Sequence, residues 1–236
     1  MNKKNKTNKK IPRIFQIGFS NSGSIGLANA FFADNSYKVI YNNFKESEFC
    51  YRQYLAILLY QNMMNKRHII YKELENYDVF MNMECILAGN ILNFNKYFKQ
   101  IEEDNIGSIF ILTIRPVNDW ILSVMKSDKI DFNNENDIKS FIDYYFDHCV
   151  KLRDYFIRDT YIKNRSKFYV YYLFKTDIQD FFKEMGLAIY PDVTLDQSLY
   201  KNHEYNHHSK INTKLEKYIN DKLKIHGDPF QETWWK

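Results

Sequence analysis

The sequence predicts an α/β fold in which a central parallel sheet is covered by helices on both faces. Short apolar runs alternate along the chain with helical patterns, as expected of successive β–α–β units. The run at 108–114 is apolar without the alternation of a half-exposed strand, which indicates a strand buried on both faces. Glycine (7 residues) and proline (4) are too scarce in 236 residues for an all-β protein with frequent tight turns.

Five short segments are expected to form the sheet, and helical patterns fill the intervals between them. Pro116 suits the first turn of a helix, and Gly186 is of the residue type that commonly ends one. The predicted strands are 13–18, 37–41, 77–81, 108–114 and 168–173. The predicted helices follow the first strand from about residue 24 and then cover 46–66, 91–103, 116–125, 135–163, 176–185 and 209–224.

The formal net charge of +4 overstates the basic character of the chain. Residues 1–10 hold five lysines and no acidic residue, so the remainder is close to neutral. A nucleic-acid-binding fold would spread basic residues over a whole face, and this class is therefore not expected. We predict a disordered basic arm at residues 1–12 and a single domain over 13–236, because 45% hydrophobic residues are enough for a sizeable core.

The cysteines and the apolar segments bear on the compartment. Cys50, Cys85 and Cys149 are odd in number and widely spaced, which gives neither a disulfide framework nor a paired-cysteine metal site. No run of about 18 apolar residues is present, and no apolar signal segment follows the basic N-terminus. These features predict a soluble, cytoplasmic protein without a membrane span, and they leave its oligomeric state open.

The segment after the first strand is the first candidate for chemistry. Ligands of parallel sheets bind at the carboxyl ends of the strands, and Gly18, Gly23 and Gly26 lie there within nine residues. Small residues let successive backbone N–H groups surround a phosphate, and the N-terminus of the next helix adds partial positive charge. Ser24-Ile25 replaces the Lys-Ser/Thr pair of a Walker A loop, so an ATPase or kinase is not favoured.

A second candidate lies at the end of the buried strand at 108–114. Arg115 follows this strand, and Ser123 is eight residues further on, two turns into the predicted helix. The guanidinium can form forked, charge-assisted bonds to one phosphate, and the hydroxyl can add a third bond. The pair predicts a second phosphate site at the same edge of the sheet.

Taken together, these segments resemble the sulfotransferase family in its short bacterial, plant and viral branch. The resemblance covers about residues 13–190 and is carried by 14–19, 37–40, 77–84 and 110–123. It implies a P-loop NTPase-like, three-layer α/β/α domain. The implied co-substrate is 3′-phosphoadenosine 5′-phosphosulfate, used without a metal, and the implied acceptor is a hydroxyl or amine of a glycan or small molecule.

The resemblance also implies roles for individual residues. Arg115 and Ser123 would bind the 3′-phosphate of the sulfate donor. The residues implied to bind its 5′-phosphosulfate are Ser20, Asn21, Ser22, Gly23, Ser24, Ile25 and Gly26.

Asn21 is a departure from the family pattern, because the family loop usually carries a lysine at this place. Such a lysine is expected to stabilise charge on the oxygen that bridges phosphate and sulfate. Asn21 can donate a hydrogen bond but no charge, and losing a preorganised donor of this kind costs on the order of 10²–10³ in rate. Lys45 or Lys126 is an alternative source of the charge. A nucleotide-binding module of the same fold with impaired catalysis is therefore the second functional hypothesis.

Sulfuryl transfer to a hydroxyl or amine is helped by a base that accepts the proton of the acceptor. Glu84, just past the third predicted strand, is the first candidate for this base. His148, on the long predicted helix, is the second, and Asn21 completes the catalytic candidates. Acceptor binding is expected from the variable segments 44–75 and 126–150 and from the tryptophans at 234 and 235.

A third functional hypothesis comes from residues 203–207, where His203, Glu204 and His207 match the HExxH pattern of zinc proteases. On a helix the two histidines would share one face, with the glutamate as base. The surroundings are polar, however, and Ser209 suits the N-cap of the next helix, which would leave the motif on a loop. A chance match is the favoured interpretation, and no metal site is predicted.

Overall fold

The computed structural model describes residues 12–34, 36–45, 52–87, 90–126, 135–187 and 213–236. Its central sheet is formed by β1 (Ile14–Gln16), β2 (Val39–Tyr41), β5 (Val79–Met81), β8 (Ile109–Ile114) and β9 (Lys167–Tyr172). All five strands are parallel, in the order β2–β5–β1–β8–β9. The prediction of an α/β fold around a central parallel sheet is confirmed, and each of the five predicted strands overlaps one strand of this sheet.

Two short antiparallel hairpins accompany the sheet. One pairs β3 (Asn43–Lys45) with β4 (Arg52–Tyr54), and the other pairs β6 (Glu84–Leu87) with β7 (Asn90–Asn93). The α-helices are α1 (Ser24–Ala33), α2 (Leu55–Met64), α3 (Phe98–Asp104), α4 (Val117–Lys126), α5 (Glu135–Arg153), α6 (Thr160–Arg165), α7 (Ile178–Glu184) and α8 (Thr213–His226). Short 3-10 segments occupy Lys72–Asn76, Phe94–Tyr97 and Glu232–Trp235, and a π-helical turn occupies Asp154–Arg158.

Apolar side chains project from both faces of the sheet, as expected of parallel strands with almost entirely apolar sequences. On one face, Phe15 stacks between Phe80 and Phe110, with ring centroids 5.0 and 5.5 Å away, and helices α2, α3, α4, α5 and α8 contribute to the same core. On the other face, the core combines Ile14 and Ile111 with the buried sides of α1 and α7. The described helices thus cover both faces of the sheet.

Two predicted helices begin later than expected. In the segment 46–66, residues 52–54 pair with β3, so α2 starts only at Leu55, and this antiparallel pairing overrides the local helical pattern. In the segment 91–103, β7 and a 3-10 turn precede α3. The side chain of Asn93 accepts a hydrogen bond from the N–H of Asn95 (2.9 Å), a local contact that favours a cap or turn over a helix interior.

The predicted helix at 135–163 is divided. A π-helical turn follows α5, and the side chain of Asp159 then accepts bonds from the backbone N–H groups of Tyr161 (3.0 Å) and Ile162 (3.3 Å). A side-chain carboxylate that accepts hydrogen bonds from the backbone N–H groups two and three residues further on acts as a helix N-cap. Asp159 therefore starts a new helix, α6, within the predicted one.

The strand order places a crevice at the carboxyl edge, by which we mean the edge where the parallel strands end. The chain leaves β1 through α1 and reaches β2 on one side of the sheet, whereas it leaves β8 and reaches β9 on the other side. Because β1 and β8 are neighbours with diverging connections, the space between their carboxyl ends is the place where such sheets bind ligands.

Both C-terminal tryptophans make packing contacts within the protein. The ring of Trp235 packs 5.6 Å from that of Phe168, close to the start of β9 and so towards the opposite edge of the sheet. The guanidinium of Arg153 lies 3.8 Å from the ring of Trp234. These contacts use both indoles in packing.

Several sequence features lie wholly or partly outside the described residues. They are the basic arm up to residue 11, the HExxH segment at 203–207, and Cys50. Within the described residues, Cys85 and Cys149 are buried free thiols. None of the described helices is both long and apolar enough to cross a membrane.

Candidate functional site

The loop between β1 and α1, residues 17–23, lies against the end of β8. A Cβ atom on Gly18 would come within 2.3 Å of the Thr113 hydroxyl and 2.6 Å of the Thr113 backbone, so only glycine fits there. Gly23 has φ 99° and would meet the side chain of Leu173 at 2.6 Å. Two of the glycines that marked this segment in the sequence are thus required by a close approach and by a left-handed backbone.

Five consecutive carbonyl groups of this loop accept hydrogen bonds from side chains. Four of the donors come from outside the loop, on four different parts of the chain. The bonds are His148 Nε2 to Ile17 (2.9 Å), Asn95 Nδ2 to Gly18 (2.8 Å), Ser22 Oγ to Phe19, Trp120 Nε1 to Ser20 (2.9 Å) and Arg115 Nη1 to Asn21 (2.9 Å).

These bonds fix the direction of the loop's N–H groups. In a trans peptide the N–H of one residue points away from the carbonyl of the residue before it. A carbonyl that is hydrogen-bonded to a side chain therefore directs the N–H of the following residue away from that side chain. Helix α1 starts directly after the loop, and its first backbone N–H groups have no carbonyl partner within the helix. Its first turn contains no acidic residue. The result is a set of oriented N–H groups at the positive end of a helix, which we call the anion cradle (residues 18–26).

A chain of hydrogen bonds ties the anion cradle to two strands of the sheet. The N–H of Asn82 donates to Gln16 Oε1 (2.9 Å), and Gln16 Nε2 donates to the Thr113 hydroxyl (2.9 Å). The hydroxyl of Ser22 gives its one proton to the carbonyl of Phe19, so Thr113 must be the donor in the 2.8 Å bond between Thr113 and Ser22. Ser22 is 0% exposed, so its side chain supports the loop from the interior of the protein.

Glu84 contacts the same loop through Ser20. Its Oε2 accepts hydrogen bonds from the hydroxyl and from the backbone N–H (3.3 Å) of Ser20. Its Oε1 accepts from Asn93 Nδ2 (2.6 Å) and Asn95 Nδ2 (3.1 Å). The predicted base and the predicted phosphate loop are thus in direct contact.

Two tyrosines flank the Glu84 carboxylate. The hydroxyl of Tyr144 accepts a bond from Asn93 (2.5 Å), and burial followed by the charge of Glu84 raises the pKa of this phenol well above its usual value. The hydroxyl of Tyr41 lies 3.3 Å from that of Ser24, the first residue of α1. Burial raises the pKa of Tyr41 as well, Ser24 opposes the shift and Glu84 adds to it. Both phenols are therefore protonated at neutral pH and available as donors.

Arg115 is held at the inner side of the loop. It is 4% exposed, its Nη1 donates to the carbonyl of Asn21, and its guanidinium lies 5.8 Å from the ring of Phe174. The hydroxyl of Tyr145 donates to the carbonyl of Arg115 (2.8 Å) and fixes the turn after β8. Ser123, the second residue of the predicted pair, is half-buried on α4. The structure thus places Arg115 beside the anion cradle, where its positive charge acts on the loop.

His148 lies beneath the loop, with 3% of its surface exposed and its ring against Phe19 and Tyr144. Its Nε2 must carry the proton, because its partner is the carbonyl of Ile17. Burial lowers the pKa of His148 to about 4, so the ring is neutral at physiological pH. This geometry supports a structural role for His148, in which it holds the loop, rather than the predicted role as base.

The remaining loop residues differ in exposure. Asn21 has φ 61°, a left-handed conformation that asparagine adopts more readily than most residues. Ser24 and Gly26 are buried, whereas Ile25 is 62% exposed on α1. The cradle therefore consists mainly of backbone groups and hydroxyls, with Arg115 as the cation that hydrogen-bonds it.

Sequence reasoning missed five residues that shape this site. Asn93 and Asn95 belong to a segment predicted as helix, and the importance of Trp120 depends on a contact with a loop a hundred residues away. Gln16 and Thr113 had a usable signal, since each is a polar residue inside an otherwise apolar strand. A buried polar group of this kind needs a partner, which points to a hydrogen-bonded network at the strand end.

Comparison with known proteins adds no assignment. No protein-family model matches the chain, and no curated protein matches it significantly. Within the described ranges, no three His, Cys, Asp or Glu side chains are grouped so that they could hold a metal ion.

Proposed function

We propose that this protein binds 3′-phosphoadenosine 5′-phosphosulfate and transfers its sulfuryl group to a hydroxyl or amine acceptor on a glycan or small molecule. The observation that carries the proposal is the row of five held carbonyls, which turns the loop into a preformed anion cradle at a helix N-terminus. The strand, loop and helix succession at β1 and α1 supports a P-loop-like nucleotide site, in agreement with the resemblance to sulfotransferases.

The donor groups of the site suit the anions of this co-substrate. Backbone N–H groups and the hydroxyls of Ser20 and Ser24 would bind the 5′-phosphosulfate, and the contact between Ser20 and Glu84 supports the affinity of these donors for an anionic oxygen. Arg115 with Ser123 would bind the 3′-phosphate. No metal is needed in this arrangement, because the charges on the anions are met by N–H groups, hydroxyls and a guanidinium.

Glu84 would act as the general base. It would take the proton from the acceptor while the acceptor oxygen or nitrogen forms a bond to sulfur, and the bond between sulfur and the bridging oxygen would break. The electron pair of that bond stays on the 5′-phosphate, which leaves as part of adenosine 3′,5′-bisphosphate. A positioned base of this kind contributes about 10²–10⁴ in rate.

The first experiment tests the nucleotide site. Adenosine 3′,5′-bisphosphate should raise the melting temperature of the protein more than adenosine 5′-monophosphate does, because it alone can use Arg115. In Arg115→Ala the difference between the two nucleotides should disappear. Arg158→Ala, which removes an exposed arginine on the π-helical turn, is the matched control and should keep the difference. The absence of any shift at millimolar bisphosphate would contradict the proposal.

A nucleotide-binding module with impaired catalysis is the second candidate, and Asn21 is the observation that favours it. Arg115 is already bonded to the carbonyl of this residue, so a lysine side chain at 21 would add a second cation to the loop. Release of bisphosphate from the sulfate donor should be measured in the presence of a phenol, a sugar and an amine. Binding without turnover, together with turnover gained in Asn21→Lys but not in Asn21→Gln, would select the impaired module.

A further inference from the structure

The hydroxyl of Ser24 belongs to the anion cradle and contacts a residue that lies outside it. Ser24 is the first residue of α1 and is 3% exposed. Its Oγ lies 3.3 Å from the hydroxyl oxygen of Tyr41, which is the last residue of β2. A phenol carried by the sheet is thus within hydrogen-bond distance of a donor at the N-terminus of the helix.

The sheet fixes the place of the Tyr41 hydroxyl. The ring of Tyr41 packs against the core that the sheet forms with α1 and α7. Directly after it, Asn42 has φ 59°, its N–H donates to the carbonyl of Met81 (3.1 Å), and its carbonyl accepts from the N–H of Leu55 (2.8 Å). The end of β2 is therefore bonded to both β5 and α2. Its phenol is held independently of the glycine-rich loop that it approaches.

A hydrogen bond between two hydroxyls uses only one of their two protons. If Ser24 is the donor, its proton points to Tyr41 and away from a ligand. If Tyr41 is the donor, the proton of Ser24 remains available to an anion. A phenol is more acidic than an aliphatic alcohol and is therefore the better donor. An anion in the cradle attracts the proton of Ser24, so ligand binding favours the second arrangement.

We propose that Tyr41 is a positioning residue, which donates to Ser24 and thereby directs the Ser24 hydroxyl towards the 5′-phosphosulfate. This role rests on the proposed function and adds to it a residue outside the loop. The two bonds run in one direction, from phenol to serine to anion, and each polarises and strengthens the other. The relay carries no charge, but it strengthens a donor in a loop where Asn21 stands in the place of a lysine.

A double-mutant cycle tests the relay through the dissociation constant of adenosine 3′,5′-bisphosphate, which carries the 5′-phosphate. Tyr41→Phe keeps the ring in the core and should raise the constant about fivefold, because Ser24 loses the bond that directs it. Ser24→Ala removes the donor to the anion and should raise it at least about tenfold. The double variant should be no weaker than Ser24→Ala alone, since Tyr41 acts through Ser24. Titration calorimetry gives each constant.

Tyr37→Phe is the matched control. Tyr37 precedes β2 by one turn of chain, and its ring packs 5.3 Å from that of Phe31 on the same helix α1. Loss of its hydroxyl should leave the affinity for the bisphosphate unchanged, because it is remote from Ser24 at the other end of α1. A general loosening of the contact between this segment and α1 would instead weaken binding in both tyrosine variants.

The outcomes separate the relay from the proposed function. If the unmodified protein does not bind the bisphosphate, the proposed function fails and the relay fails with it. If the protein binds it, the relay alone is overturned when Tyr41→Phe binds equally tightly. It is also overturned when the double variant shows the product of the two single losses, because a structural role of Tyr41 would not pass through the Ser24 hydroxyl.

A measurement on the unmodified protein covers the case in which a variant does not fold. In protein labelled with ¹³C at the tyrosine Cζ atoms, which carry the hydroxyls, the bisphosphate should move the Tyr41 resonance with the dissociation constant found by calorimetry. The reason is that the bond from Tyr41 to Ser24 strengthens once Ser24 donates to the anion. The Tyr37 resonance should stay in place. A Tyr41 resonance that is unchanged at saturation would overturn the relay.

Discussion

A buried glutamate, Glu102, lies at one edge of the sheet, and a half-buried glutamate, Glu84, lies at the other, and their surroundings differ. At the amino edge, Glu102 is 0% exposed and is paired with Arg165, with further bonds from Ser166 Oγ (2.6 Å) and Tyr155 (3.1 Å). At the carboxyl edge, the described partners of Glu84 are amides and a serine. The charge of Glu102 is paired with Arg165, and the Glu84 carboxylate lies beside the oriented N–H groups of the anion cradle.

Under the proposed function, the amino edge is a structural site and the carboxyl edge is a ligand-binding site. A buried charge that is paired and fully hydrogen-bonded has nothing left to offer a ligand, and its removal is felt as lost stability. The carboxyl edge holds its backbone carbonyls firmly, and the first turn of α1 has no acidic residue at its positive end. We therefore expect mutations at the amino edge to change stability, and mutations at the carboxyl edge to change nucleotide binding.

The largest effect on stability is expected from Arg165→Ala. It leaves the Glu102 carboxylate buried without a cation, which typically costs about 3–5 kcal/mol of the free energy of unfolding. Urea denaturation at pH 7 measures this loss. Arg158→Ala breaks an exposed ion pair with Asp154 and should cost less than about 1 kcal/mol. Equal losses of stability in the two variants would show that the buried pair at the amino edge contributes no more than an exposed ion pair.

The same cluster has a pH signature. Burial alone would raise the pKa of Glu102, but bonds from Arg165, Ser166 and Tyr155 and the charge of Arg165 outweigh it and lower the pKa below 4.5. The stabilisation is therefore complete above pH 4.5 and is lost as the pH falls through the lowered pKa. The stability difference between the unmodified protein and Glu102→Gln should be largest at neutral pH and shrink on acidification. A constant difference would contradict the assignment.

Gly18→Ala should produce the largest effect at the carboxyl edge. Its Cβ would collide with backbone as well as side-chain atoms of Thr113, so β1 and β8 must separate, at a cost of about 1–3 kcal/mol. Binding of adenosine 3′,5′-bisphosphate should be lost, because the loop carbonyls leave their donors. Gly107→Ala has open space around its Cβ and should cost about 1 kcal/mol through its φ of 85°, with binding retained. Calorimetric titration of both variants decides the comparison.

His148 gives a smaller effect that depends on pH. Its pKa falls from 6.5 to about 4 on folding, so the unfolded chain binds more protons between these values and stability declines as the pH falls. Between pH 7 and pH 5 this amounts to about 2 kcal/mol. As the pH falls from 7 to 5, the difference between the free energies of unfolding of the unmodified protein and of His148→Gln should shrink by this amount. Parallel curves would mean that folding does not change the pKa of the ring.

Trp120→Phe should give the smallest effect. The ring can still pack against Phe19 and Tyr145, but the bond from Nε1 to the Ser20 carbonyl is lost, at a cost of about 1 kcal/mol. The bisphosphate should bind a few times more weakly. Trp234→Phe is the matched control, because it removes an indole bond to the carbonyl of His226 and should leave nucleotide affinity unchanged.

The parts of the candidate site that could be predicted from the sequence are those formed by residues close together in the chain. A strand, a glycine-rich loop and a helix succeed one another at residues 14–33, and the position of Arg115 after a buried strand follows from local pattern alone. The roles of Asn93 and Asn95 were missed because they come from contacts with Glu84 and, for Asn95, with a loop 77 residues away. Their asparagine-rich segment did carry a turn signal that argued against the helix predicted there.

Asn21 occupies a loop whose shape is maintained from outside, by side chains of four other elements. Mutation of residue 21 can therefore alter the charge of the loop while its backbone path persists. The shape and the charge of the loop therefore depend on different residues, and the charge at position 21 can change without rebuilding the fold. Changes at His148, Asn95, Trp120 or Arg115 carry the opposite consequence, because each removes a support that the loop sequence cannot replace.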